Sequence, residues 1–356
     1  MSDRSGFDTL APDFRIDIDG REVSEQLSAD LVGVRVLEDT EATSTCALLL
    51  SCWDGVEMKV KWIDDDLFRE GTAIAVRIGY RDRMEEIFAG EITGLEPEFH
   101  SAEAPLLTVR SYDRSHRLMQ EKKTRSFLRM KDSDIAGQIA SEGGFRADTE
   151  DTRVRHEHVL QHNQTDLEFL KQRGERIGFE VFVLGSTLSF RARQVEGDEA
   201  LVLRREIELL EFYPRSTAMH QVAEVTVRGW DPKQKREFVA QSRAGEVRGR
   251  LGNTTGPAAM QQSFRATLAH QVRSPVSSQE EADRLAAGLL NELALDHVTG
   301  DGVCIGRPDL RPGRLIKIEG IGRRFSGRYY VTATEHSYVR NRGYRTAFRV
   351  KRNATL

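Results

Sequence analysis

Phe68-Arg69-Glu70-Gly71-Thr72-Ala73-Ile74-Ala75-Val76 is echoed roughly 240 positions later by Leu310-Arg311-Pro312-Gly313-Arg314-Leu315-Ile316-Lys317-Ile318. The echo continues. Phe88-Ala89-Gly90-Glu91-Ile92-Thr93 reads against Phe325-Ser326-Gly327-Arg328-Tyr329-Tyr330, and Leu107-Thr108-Val109-Arg110 against Arg345-Thr346-Ala347-Phe348. Each copy runs Gly turn, strand, Phe-x-Gly, strand, Thr-bearing strand. The spacing from Gly71 to Phe88 is 17 positions and from Gly313 to Phe325 is 12, a difference that a surface loop absorbs. Two copies of one β module imply an object built by quasi-symmetry rather than around a single catalytic cleft.

The flanks of the first copy also read as strands. Phe14–Ile18 alternates with period two and ends at Asp19-Gly20, a hairpin turn pair, and apolar runs follow at 32–36 and 45–50. Closely spaced strands joined by turns predict an antiparallel barrel or sandwich. After Tyr112-Asp113 the period changes. Ser133 is placed to cap a helix that stops at Gly143-Gly144, and Thr165-Asp166-Leu167-Glu168 is a capping box for a helix with Leu167, Leu170, Gly174 and Ile177 in register. Runs at 179–183 and 187–190 then predict a hairpin. Val222–Gly229 returns to strand, and the glycine-rich run 242–263 reads as a long loop. Ser278-Gln279-Glu280-Glu281 opens a helix that puts Ala282, Leu285, Ala286, Leu289, Leu290 and Leu293 on one stripe.

The expected architecture is therefore mainly β with an α+β insert. Residues 1–118 form a first antiparallel β-barrel domain and 119–200 a small α+β domain. Residues 201–356 form a second, related barrel, with the 242–263 loop and a helix at 278–296 between its halves.

At 356 residues the chain exceeds one ordinary core, and 39% hydrophobic with 30% charged residues describes a folded globular protein. No apolar run approaches the roughly 20 residues of a membrane helix. The start, Met1-Ser2-Asp3-Arg4-Ser5-Gly6, lacks the basic-then-apolar pattern of a secretion leader, so synthesis and folding in a cytoplasm are expected. The net charge of −4 is unevenly spread. Residues 303–356 hold 13 Lys/Arg and 3 Asp/Glu, a balance of +10 against −14 elsewhere. With no basic block of five or six, this polarity points to contact between subunits, with Arg323, Arg324 and Arg328 as candidates, and argues against nucleic acid.

The candidate chemistry resolves into structural readings. Cys46, Cys52 and Cys304 have no paired metal spacing, and the first two lie in or beside an apolar strand, where a thiol is a small hydrophobe. His156 and His158 would share a face of a strand, with His162 nearby, but no acidic or thiol group is spaced to complete a zinc site, which leaves them as surface or interface histidines. Asp64-Asp65-Asp66 lacks the alternating acceptors and terminal Glu of a calcium loop and reads as a solvated turn. Gly245, Gly249, Gly252 and Gly256 are followed by Pro257 rather than Lys-Ser/Thr, so they do not make a phosphate loop. There is no Gly-x-Ser-x-Gly elbow. No catalytic, cofactor-binding or metal residue, no cofactor and no small-molecule substrate is assigned.

Three residue strings carry a family resemblance. Val159–Leu170 resembles the "V-Q-x-N-x-T-D-x-x-F-L" stretch of the phage late control protein D family. Val225–Asp231 resembles the strand that enters its second barrel. Pro312-Gly313, Ile318-x-Gly320, Phe325-Ser326-Gly327-x-Tyr329-x-Val331 and His336 resemble its C-terminal signature. That family includes the hub of contractile-tail baseplates and the hub part of the VgrG-type spike of type VI secretion. The resemblance covers residues 10–352. It implies a non-enzymatic homotrimer in which each chain gives two related barrels, so that three subunits make a six-fold-like ring between a trimeric spike and a hexameric inner tube, beside other baseplate subunits. It implies residence in the cytoplasm during assembly and then in a virion tail or injection particle. Spike-type relatives continue into a needle, whereas this sequence stops at Leu356, which implies a separate spike chain or a shortened form. No embedded lysozyme-like domain is present. The alternative is a cell-wall-directed hydrolase or other tail-tip enzyme using 156–162 or 64–66.

Overall fold

The structure is a computed structural model that describes residues 11–80, 83–231, 235–264, 269–273, 276 and 278–355. The leader reading of residues 1–6 lies outside the described residues. Alternating burial along the strands builds most of the sheet elements. Thr45–Ser51, for example, buries every second side chain, as a half-covered strand must.

The chain begins with β1 (Pro12–Ile18), β2 (Leu31–Asp39), β3 (Thr45–Ser51), β4 (Ala73–Tyr80), β5 (Arg83–Glu98) and β6 (Leu106–Asp113). An insert follows, made of β7 (Lys122–Lys131), α1 (Asp132–Glu142), β8 (Arg146–Thr149), β9 (Arg155–Thr165), α2 (Asp166–Glu175), β10 (Phe179–Leu184) and β11 (Thr187–Ala192). Then come β12 (Leu201–Arg204), β13 (Leu209–Ser216), β14 (Glu224–Asp231), β15 (Arg236–Arg243), α3 (Gly256–Phe264), β16 (Ala269–Arg273) and α4 (Gln279–Leu295). The chain closes with β17 (Val298–Ile305), β18 (Leu315–Glu319), β19 (Gly327–Val339) and β20 (Gly343–Arg352).

One 13-stranded sheet dominates, and its path runs β13-β17-β20-β19-β2-β3-β6-β5-β4-β1. Two like modules lie along it, β2-β3-β6-β5-β4 and β13-β17-β20-β19-β18, antiparallel throughout. The mainly β class with an α+β insert is what the chain adopts. The two related β units are halves of one sheet, however, and no closed barrel is detected among the described residues.

The irregularities of the modules coincide as well. The β2–β3 ladder slips between Leu31 and Gly33, and β13–β17 between Leu209 and Glu211. β5–β6 slips between Ile92 and Gly94, and β19–β20 between Val331 and Ala333. Gly71 (φ +85°) donates its N–H to the Ile92 carbonyl at 2.7 Å while Ile92 N–H returns to Thr72 at 2.9 Å. Gly313 (φ +78°) donates to Val331 at 2.9 Å while Val331 N–H returns to Arg314 at 2.9 Å. A side chain at either glycine would strain this left-handed turn.

These anchors correct the residue match made from sequence. Gly71 does correspond to Gly313. Beyond it, Phe88 corresponds to Gly327 rather than Phe325, because Val76 pairs Phe88 as Ile318 pairs Gly327. In the last strand Arg110 corresponds to Arg349, so Thr108 matches Ala347 and not Thr346.

Most helix signals fall where they were read. Thr165 accepts from Glu168 N–H at 3.2 Å while Glu168 returns to Thr165 N–H at 2.8 Å, and Ser278 accepts from Glu281 N–H at 3.1 Å. The hairpin after α2 is β10 with β11. Four readings change. Helix α1 starts two residues before the expected point, because Asp134 reaches back to the Lys131 N–H and makes Lys131 the cap. The last part of the 242–263 run is helical, in the helix Gly256–Phe264, with Pro257 in the first turn, where its missing N–H costs nothing. Strand β14, read as entering the second barrel, instead centres a separate three-stranded sheet with β15 and β16, covered by α4 through Leu285, Ala286 and Leu290. Asp19-Gly20 returns for only two residues, and the main partner of β1 is β4.

Candidate assembly interface

The two modules meet where β19, past its bulge, pairs with β2 from Ala333↔Asp39 to Val339↔Gly33. Both strands alternate, so one set of side chains turns inward and the other outward. On the outward face Arg35 makes a bidentate pair with Glu335, at 2.7 Å for each bond. On the inward face Glu38 is buried, and Arg311 Nη2 lies 2.5 Å from it. The Thr334 hydroxyl donates to Glu38 at 3.4 Å, and His336 Nε2 is 3.6 Å away. Arg311 also donates to the carbonyls of Glu86 at 2.9 Å and Ile87 at 3.2 Å, which ties the Pro312-Gly313 turn of one module to β5 of the other. Burial alone would raise the Glu38 carboxyl, but the His336 imidazole and the Arg311 guanidinium outweigh it and hold it below the ordinary carboxylate range.

Further contacts brace the join. Tyr80 donates its hydroxyl to the Gly306 carbonyl at 3.0 Å, the Phe14 and Tyr338 rings stand 5.0 Å apart, and Arg340 donates to the Ser28 and Ala29 carbonyls at 3.0 and 2.8 Å. His336, part of the family-like C-terminal signature, is fully inside the join, with Nδ1 2.8 Å from the Tyr344 hydroxyl.

Two buried polar clusters hold the insert to the rest. Asp132 accepts from Arg173 at 2.6 and 3.1 Å and lies 3.1 Å from His156 Nε2. His156 Nδ1 is 3.7 Å from Glu281 on α4. Burial pushes the Asp132 carboxyl upward, but His156 and Arg173 prevail and keep it below its ordinary range. Glu180 on β10 accepts from the Tyr330 hydroxyl and, at 3.1 Å, from Arg193, which also reaches Glu292 on α4 at 2.5 Å. Burial and the Glu180 carboxylate push the Tyr330 phenol up, so it remains a donor.

The sequence candidates fall as follows. His156, read as a surface or interface histidine, is buried in the Asp132 cluster where the insert meets α4, and so is not at the surface. His158 is exposed and 3.0 Å from Ser126 Oγ, and His162 is exposed, so the strand does not gather them. Asp65 accepts from Leu67 N–H at 2.9 Å and caps a short 3-10 turn, with Asp64 and Asp66 exposed. No cluster of three metal-ligating side chains occurs among the described residues. All three cysteines are buried, and burial raises each thiol, Cys304 to about 12. Much of the C-terminal positive charge is neutralised at home. Lys351 pairs with Asp296 at 2.9 Å, and Arg307 with Asp309 at 2.6 Å. Arg328, taken from sequence as free for a partner, pairs with Glu199 at 2.8 Å, whereas Arg323 and Arg324 are exposed.

Solved structures that align with this fold include two tail proteins and a type VI secretion component. A 43 kDa tail protein of prophage MuSo2 from Shewanella oneidensis aligns with a TM-score of 0.72 at 12% identity, over 96% of this chain and 98% of that one. A tail protein from Neisseria meningitidis MC58 aligns with a TM-score of 0.70 at 11% identity, over 96% of each chain. An E. coli component of the type VI secretion system, described as structurally similar to the T4 bacteriophage tail proteins gp27 and gp5, aligns with a TM-score of 0.59 at 15% identity, over 94% and 76%. No curated protein matches. No described helix is long and apolar enough to cross a membrane. A family model described as the Alg8 N-terminal domain matches residues 9–339, nearly the whole chain, and the chain belongs to that family.

Proposed function

We propose that this chain is the structural hub of a contractile tail or tail-like injection particle. In this reading it is a homotrimer of the late control protein D type that matches a trimeric spike to a hexameric inner tube. The observation that carries the reading is the pair of like five-stranded modules joined edge to edge in one chain. Three such chains, placed head to tail, would present six similar modules in a ring and so meet three-fold and six-fold partners together. The likeness to phage tail proteins and to a type VI secretion component supports this choice over an enzyme. So does the chemistry of the join, where Glu38, Arg311 and Thr334 direct their polar groups at the protein itself. We divide the chain at 118 and 200 into a first β unit, the α+β insert and a second β unit.

Native mass spectrometry of the purified chain should give a trimer, and immobilised trimer should retain the tube and spike proteins of the same particle. A monomer that binds neither overturns the reading. Turnover of peptidoglycan by the purified chain would favour a tail-tip hydrolase instead.

A further inference from the structure

A cleft of about 490 Å³ lies where the insert and both modules meet. Its size is within the roughly 300–1,000 Å³ of small-ligand sites. Phe182, Leu184 and Arg191 line it from the β10–β11 hairpin, Thr40 from the first module and the Arg311–Arg314 turn from the second. The hairpin gives the cleft one of its faces. Glu180 stands opposite Arg191 there, while Val181 and Phe190 on the other face are buried in the core of the insert.

The carboxylates around this cleft are already engaged. Glu38 is matched by Arg311 and Glu180 by Arg193, and Glu86 lies 3.7 Å from Arg77. Asp113 accepts from the N–H groups of Ser44 and Ser115 at 2.7 Å each, and Asp39 from Glu41 N–H at 2.7 Å. Both also act on the Lys171 ammonium. Two guanidiniums are left over. Arg191 stacks on the Phe182 ring, 4.9 Å from its centroid, and among the described residues has no hydrogen bond and no ion pair. Arg314 is exposed and, among the described residues, reaches only the Asp309 carbonyl at 3.5 Å. Arg191 Nε, Arg311 Nε and the Thr40 hydroxyl are buried with no partner among the described residues. The wall thus offers donors and positive charge and lacks an acceptor, and such groups are costly to bury unmatched.

We propose that this cleft binds a carboxylate carried on an apolar body, its charge met by Arg191 and backed by Arg314, its apolar part against Phe182, Leu184 and Pro312. A guanidinium pairs with a carboxylate through two parallel N–H bonds in one plane, and Arg191 is already held against the Phe182 ring. The lining carboxylates oppose a dianion such as phosphate more strongly than a single negative charge. A free organic acid and an acidic side chain beside an apolar one in a peptide offer the same chemistry. The site does not depend on the hub reading.

The test is titration calorimetry on the full chain. The probes are 4-phenylbutyrate for a free acid and N-acetyl-Leu-Glu amide for a peptide, with neutral 4-phenylbutyramide and inorganic phosphate as controls. At least one carboxylate probe should bind saturably, about tenfold or more tighter than the neutral amide. Arg191→Gln should weaken that binding by a similar factor, and Arg323→Gln, an exposed arginine outside the cleft, should leave it unchanged. Leu184→Asp, at an exposed position, should weaken it too and decides the matter if Arg191→Gln fails to fold. The tighter of the two carboxylates identifies the source. Amide or phosphate binding as tightly as the carboxylates, an affinity indifferent to Arg191→Gln and Leu184→Asp, or no saturable binding of either carboxylate at millimolar concentration overturns the proposal.

Discussion

Arg311 and Glu38 are 273 positions apart in the chain, yet their side chains meet at 2.5 Å inside the join between the two β modules. The arginine leaves the turn that opens one repeat copy, and the glutamate ends the first strand of the other. Both are largely buried, at 18% and 8% side-chain exposure, so each depends on the other for compensation of its charge. Arg311→Ala should therefore cost about 3–5 kcal/mol of stability in urea unfolding, because Glu38 is left charged and buried. Replacing both partners, Arg311→Met with Glu38→Leu, should recover most of that loss. A double variant no more stable than Arg311→Ala would show that the pair does not act as a unit.

This cluster and the Asp132 cluster of the insert together set a pH dependence. Glu38 and Asp132 both have native carboxyls below their ordinary values of 4.5 and 3.8. A depressed carboxyl adds stability that is fully present above the unfolded value and is lost as pH falls through the folded one. Melting temperature should therefore be flat with respect to these two groups above about pH 5 and fall below about pH 4.5. Glu38→Gln with Asp132→Asn should start lower and flatten that acid limb. An unchanged acid limb would assign the loss to other carboxylates.

Gly302 and Phe348 explain why the repeat is so faint. A Cβ on Gly302 would stand 2.4 Å from the Phe348 ring and 3.0 Å from Phe212. In the other module the corresponding residues are Leu48, Val109 and Val34, with the bulk on the opposite strand. Gly302→Ala should cost about 1–3 kcal/mol through overpacking. Adding Phe348→Val should recover part of that cost by opening the space that Val109 leaves in the first module. Failure of the second change to help would mean that the two cores are not interchangeable layers.

This exchange of large for small also marks how far the sequence could be read. The glycine turns at Gly71 and Gly313 were legible because a positive φ leaves a residue signature that packing cannot erase. The capping box at Thr165 and the N-cap at Ser278 were legible for the same local reason, although the Glu281 carboxylate turns to Arg176 and His156. The alignment beyond the turns slipped, by two residues at Phe88 and by one at Thr108, because the true counterparts, Gly327 and Ala347, share neither the ring nor the hydroxyl that the sequence match relied on. The join itself was out of reach. Glu38, Arg311 and His336 each look like ordinary surface residues until β2 is laid against β19. The burial of His156 was out of reach for a related reason, since its partners Asp132, Arg173 and Glu281 come from three separate helices.

Tyr330 and Glu180 offer the last prediction, on the contact that fastens the insert to the second module. The Tyr330 phenol is fully buried and donates to Glu180, which also accepts from Arg193. Tyr330→Phe keeps the ring and removes one of the two donors that satisfy a buried carboxylate. The expected cost is about 1–3 kcal/mol, the range for a buried acceptor that loses a partner. Glu180→Gln should cost less when Tyr330 is already Phe, because the donor that the carboxylate served is gone. The coupling between the two changes, read from urea midpoints at constant slope, should be about 0.5–3 kcal/mol. Additive losses would mean that Arg193 alone satisfies Glu180, and that the insert is held by its Asp132 cluster instead.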